Sequence, residues 1–120
     1  MTSLNTFGAI LTYAIQLETQ LTDYYKRAGS AEQSSAADKR RVKLERARRE
    51  YVLEITLEAI DGLNEADYAL DLSDTSAAAQ KTVAQTAARF YRDVAPRINV
   101  RDAQRILEKC AKEYTAAAEG

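Results

Sequence analysis

Glu18 is in helical phase with Phe7, Leu11, Ala14, Leu21 and Tyr25, so a helix that buries this stripe buries a carboxylate with it. An ionised carboxylate in apolar surroundings costs several kcal/mol unless a cation or a metal compensates it. Asp38, and Glu54 and Glu58 one turn apart after Glu50, are the acids that could complete a metal site. The opposite charge is concentrated between them: Lys39, Arg40, Arg41, Lys43, Arg46, Arg48 and Arg49 stand against Glu45 and Glu50. Such a run suits phosphate, an acidic partner or RNA. Its cations are nevertheless spread around the helix, and no aromatic side chain interleaves them before Tyr51, as base stacking requires. A solvated face is therefore the expected role of the run, with a Glu45–Arg49 pair across one turn. Lys39, Arg40, Lys43, Arg46 and Arg49 are its candidate binding patch. The line Glu50, Glu54, Glu58 is likewise expected to face solvent. Histidine is absent and Cys110 is the single cysteine, which removes the commonest general base and any zinc spacing. No phosphate-binding glycine loop or nucleophile elbow is present.

The elements that must position these residues are helical. Only one proline, Pro96, and four glycines interrupt the chain. A first helix is expected from Leu4 to Ala28, closed by Gly29, with Phe7, Leu11, Ala14, Glu18, Leu21 and Tyr25 inward. Ser30 to Ser35 reads as a polar turn. The second helix should run from Ala36 to Ile60, with Leu44, Ala47 or Arg48, Tyr51, Ile55 and Ala59 inward, and end at Asp61-Gly62. Leu63 to Asp74 reads as a loop with a short turn around Glu65 to Tyr68. The third helix starts at Thr75 or Ser76, carries Ala79, Val83, Ala87, Phe90 and Val94 inward, and stops before Pro96. The fourth starts at Asn99 as N-cap with Asp102 in its first turn, and its stripe is Val100, Ala103, Leu107, Cys110, Tyr114 and Ala117.

These four helices are related in pairs. Leu44-Glu45-Arg46-Ala47-Arg48-Arg49-Glu50-Tyr51 returns 63 residues later as Leu107-Glu108-Lys109-Cys110-Ala111-Lys112-Glu113-Tyr114, and Tyr24-Tyr25-Lys26 is echoed by Phe90-Tyr91-Arg92. Two segments repeating in order imply a duplicated helical hairpin. Two such hairpins facing each other make a four-helix bundle. Tyr25, Tyr51, Tyr91 and Tyr114 then occupy repeat-related inward positions and are expected in the core rather than in electron transfer, as is Cys110. The expected fold is all-α: an up-down-up-down antiparallel four-helix bundle forming one domain over residues 1–120, with hairpins at 4–60 and 75–118 and a linker at 61–74. Seventeen basic and eighteen acidic residues leave no global field toward nucleic acid or membrane. A lone cysteine, no signal-peptide pattern and no apolar stretch of about 20 residues fit a cytoplasmic protein.

Ala14-Ile15-Gln16-Leu17-Glu18, followed by Tyr24-Tyr25, resembles the first helix of rubrerythrin-type members of the ferritin-like superfamily. Lys43 to Asp67 is similar to their second helix and its exit, and Phe90-Tyr91 supplies the matching pair on the third. The family holds two irons between one Glu from each of two helices and Glu-x-x-His from each of the other two. Carried over by position, the resemblance places ligands at Glu18, Ala84, Asp38 with Arg41, and Arg101 with Gln104. Only Glu18 is retained and Asp38 is a shortened acid, so these two are vestigial. Neither a catalytic residue nor a metal site is expected, and Arg41 is the expected ion-pair partner that replaces the metal at Glu18, with Arg40 or Arg48 as alternatives. The remaining possibility for Glu18 itself is a solvated position at the bundle edge. The resemblance implies a ferritin-like bundle without cofactor, acting as an interaction or scaffold protein and assembling as a homodimer. Neither membrane nor nucleic acid is an expected partner. The competing expectation is a metal-binding protein or oxidase that holds iron or manganese through Glu18 with Asp38, Glu54 or Glu58, in a noncanonical or intersubunit site. A third is a binder of small apolar ligands or nucleic acid, through the interior or the basic run.

Overall fold

The computed structural model describes Leu4, residues 6–55 and residues 62–119. Among these residues it is all-α, with four α-helices: α1 (Phe7–Arg27), α2 (Ala31–Ile55), α3 (Ala77–Val94) and α4 (Arg101–Glu119). The chain divides into two compact units, Leu4–Asp61 and Gly62–Gly120, whose boundary falls inside the expected linker. No helix among the described residues is long and apolar enough to cross a membrane.

In the first unit α1 starts later than Leu4, because Thr6 caps it: its hydroxyl accepts the Ala9 amide at 3.0 Å. All six expected inward residues are buried, and Ile10, Leu17 and Tyr24 widen the stripe. The helix closes through Gly29 at φ 78°, where the Gly29 amide donates to Lys26 and the Ser30 amide to Tyr25. This pair of bonds is the Schellman closure, whose left-handed residue glycine adopts without strain. The polar turn expected at Ser30 to Ser35 is instead the first turn of α2, which begins five residues before Ala36. The reason is tertiary: Ser34 is buried and its hydroxyl donates to the Thr22 carbonyl at 2.8 Å, so a stretch with turn-like composition is held helical by its neighbour. Pairs Ser34–Thr22, Arg40–Glu18 and Arg48–Thr12 step up α2 while stepping down α1, which makes the hairpin antiparallel. The expected helix end at Ile60, together with Ala59, lies outside the described residues.

In the second unit, Glu65–Tyr68 forms the expected short turn, a 3-10 helix capped by Asn64. Tyr68 pins it to α3: its hydroxyl donates to Asp93 at 2.8 Å and its ring lies edge-on to Phe90 at 5.2 Å. The Arg89 guanidinium covers that ring at 4.8 Å and donates to the Asp67 carbonyl. Ser76 caps α3, and the chain leaves it in a 3-10 turn that contains Pro96. Helix α4 begins at Arg101, with the Val100 carbonyl accepting the Gln104 amide, so the expected start at Asn99 falls before the helix. Ala103, Leu107, Cys110 and Tyr114 are buried as expected, but Ala118 rather than Ala117 is the buried residue of the last turn, and Ala79 and Val100 are only half-buried. The Tyr114 ring stacks on Tyr91 at 5.9 Å, and Tyr91 meets Phe90 edge-on at 5.0 Å. An aromatic chain thus runs from Tyr114 through Tyr91 and Phe90 to Tyr68.

Candidate functional site

The buried polar centre of the first unit joins the fourth turn of α1 to the third turn of α2. Glu18 is 0 % exposed and accepts a hydrogen bond from Arg40 Nε at 3.0 Å, with Arg40 itself 4 % exposed. The solvated position for Glu18 is thereby excluded. The partner differs from the expected Arg41. On α2 the buried positions Ala37, Arg40, Leu44 and Ala47 alternate in steps of three and four, and Arg41 is rotated about 100° away from that stripe. Arg41 turns to Asp38 at 2.8 Å and Glu45 at 2.7 Å instead, on the helix surface. A position count from the turn points to residue 41; extrapolating the stripe back from Leu44 and Ala47 points to Arg40.

Two charges brought from water into a dry site must neutralise one another, and Glu18 and Arg40 do so as a pair. Tyr24 and Tyr25 pack edge-on at 5.4 Å about two turns further along α1 and are fully buried. Burial pushes the Tyr25 phenol up to about 12, with Tyr24 and the Glu18 carboxylate adding to the rise and Arg40 opposing it. In the unfolded chain this phenol ionises near 10.0, so its contribution is complete below about pH 10 and is lost as pH rises toward about 12, where the unfolded state binds fewer protons. Urea midpoints are therefore expected to fall between about pH 9 and pH 11, and to fall less in Tyr25→Phe. Equal declines in both proteins would remove Tyr25 from the account.

None of the other positions implied by the resemblance holds a buried carboxylate. Asp38 is 51 % exposed and held by Arg41. Ala84 is buried, Arg101 is exposed, and the Gln104 amide donates to the Ala95 carbonyl at 3.0 Å. Among the described residues no three acids or cysteines are grouped so as to hold a metal ion. The side chains of Glu54 and Glu58 lie outside the described residues. Cys110 is buried on the α4 stripe. Glu45 is paired with Arg41 rather than with the expected Arg49. Tyr25, Tyr91 and Tyr114 are buried, whereas Tyr51 is half-exposed.

Of the basic patch, Arg40 is withdrawn into the Glu18 pair, while Lys39, Lys43, Arg46 and Arg49 are exposed. In the second unit an open groove of about 420 Å³ runs between α3 and α4, floored by Tyr91, Ala95, Pro96 and Ala111. No protein-family model matches the chain, and neither a curated protein nor a solved structure matches it.

Proposed function

We propose that the chain is a ferritin-like bundle of rubrerythrin type that has lost its di-iron chemistry and works as an interaction or scaffold protein, as a homodimer through its helix surfaces. In this reading the two hairpins face each other in up-down-up-down order and descend from a duplication. The observation that supports it is the buried contact between Arg40 Nε and Glu18 Oε1 at 3.0 Å. Glu18 is the one ligand position of the family that keeps its glutamate, and a guanidinium now engages it. A metal ion binding there would have to displace Arg40, or sit beside a buried cation and bear the repulsion.

The test is metal content by mass spectrometry of protein grown with iron and manganese, alongside mass determination in solution. The expected result is no stoichiometric metal, and no change in Glu18→Ala. About one or two metals per chain, lost in Glu18→Ala, would overturn the reading and restore a metal-dependent oxidase.

A further inference from the structure

The seven cations from Lys39 to Arg49 differ in what they face. Arg40, Arg41 and Arg48 are turned to neighbours in their own hairpin: Glu18, the acids Asp38 and Glu45, and Thr12. Lys39, Lys43, Arg46 and Arg49 are exposed on the outer side, where Lys43 and Arg46 keep surface contacts within the chain. Among them stands Val42, 52 % exposed, the one exposed large apolar side chain among the described residues. At about 100° per residue these five side chains share an arc of roughly 120° on the side of α2 away from its buried stripe. Lys39, Val42, Arg46 and Arg49 follow in steps of three, four and three, which is the spacing of a helix-pairing seam.

We propose that this outer face of α2 docks an acidic, amphipathic helix of another protein. The seam spans about 15 Å at 1.5 Å per residue, longer than a single phosphate and matched to about three turns of helix. A helix presenting carboxylates at the same spacing pairs with the four cations, and one apolar side chain among them covers Val42. A nucleic-acid backbone satisfies the cations but leaves Val42 in water, and this face carries no aromatic ring for a base to stack on. The Arg46–Glu50 pair, 3.5 Å apart with 75 % and 51 % of the side chains exposed, is a loose surface contact that an incoming carboxylate can replace. Helices of this chain are poor candidates for the partner. Among the described residues no helix of this chain sets two exposed acids three or four residues apart: they are Asp23 on α1, Glu32, Asp38 and Glu50 on α2, Asp93 on α3, and Asp102, Glu108 and Glu119 on α4. The proposal deepens the interaction role above by naming its partner class, and it does not depend on the state of Glu18.

The test uses the full chain and a fluorescent synthetic helix of about three heptads, with Glu at the seam positions around one central Leu. Binding read by anisotropy is expected to weaken with salt. It is expected to fall about tenfold or more in Lys39→Glu/Lys43→Glu, and several-fold in Val42→Ser. Circular dichroism checks that these surface variants fold, and the unmodified protein decides the matter if they do not. Four results overturn the proposal: no binding of the peptide at low salt, indifference to Val42→Ser, tighter binding of an oligouridine than of the peptide, or a solution dimer that Lys39→Glu/Lys43→Glu splits. The last would assign the face to a second copy. Failure here leaves the metal analysis untouched, so the two readings fall separately.

Discussion

Arg40→Ala should destabilise the protein by about 3–5 kcal/mol, because it leaves the Glu18 carboxylate buried and without its guanidinium. Both side chains are almost wholly inaccessible, at 4 % and 0 % exposure, so only water entering the vacated space can replace part of the lost hydrogen bond. A loss of that size lowers the melting temperature by on the order of 10–20 °C in a chain of this length. The informative comparison is the double variant Glu18→Leu/Arg40→Met, which removes both charges and keeps apolar volume in their place. It is expected to recover most of the loss, since a buried ion pair is costly to break but close to neutral to replace. Arg41→Ala serves as the surface control. Its two carboxylate contacts lie at 28 % exposure against 51 % and 38 %, where solvent screens the attraction, and it should melt with the parent. Urea denaturation followed by circular dichroism measures all three. A parent-like Arg40→Ala, or an Arg41→Ala as damaged as Arg40→Ala, would contradict the pairing.

Tyr114→Ala should cost a similar amount, about 3–5 kcal/mol, for a different reason. The ring is 0 % exposed and lies nearly parallel to Tyr91, with 8° between their planes. Truncation opens a cavity at one end of the aromatic chain that continues through Phe90 to Tyr68, and close-packed neighbours refill it only in part. The stacking itself is separable: a double-mutant cycle of Tyr114→Leu with Tyr91→Leu should show a coupling of about 0.5–1.5 kcal/mol beyond simple burial. Tyr51→Ala, at the position that repeats Tyr114, should cost clearly less because Tyr51 is half-exposed. Equal losses at the two tyrosines would mean that the repeat places them in equivalent packing after all.

That contrast marks where pattern reading stops. The octet repeat assigns Tyr51 and Tyr114 the same helical phase, and phase decides which side of a helix faces inward. It does not decide how deeply, because depth depends on what covers the helix at that height. The same distinction separates Leu44 and Leu107, both fully buried, from Ala79 and Val100, which lie on their stripes and remain half-exposed. The start of α2 shows a second limit. Ser30 to Ser35 has the composition of a turn, and only the Ser34 bond to the Thr22 carbonyl explains why it is helical. Tyr68 shows a third: nothing near it in the chain announces a partner, since Asp93 and Phe90 are brought to it by the return of α3.

What the sequence determined by itself is local in origin. Helix breaks at Gly29, Ser76 and Pro96 follow from backbone freedom, side-chain capping and a missing amide proton, and the burial of Glu18 follows from the helical period that sets it among Phe7, Leu11, Ala14 and Leu21. The tertiary structure decided which cation answers that carboxylate, because in the sequence a position count pointed to Arg41 and the apolar stripe to Arg40. A shift of one residue rotates a side chain by about 100° around the helix, so the choice between Arg40 and Arg41 depends on how α2 is turned against α1. That rotation is set by packing along the whole hairpin, which leaves one guanidinium inside and its neighbour on the surface.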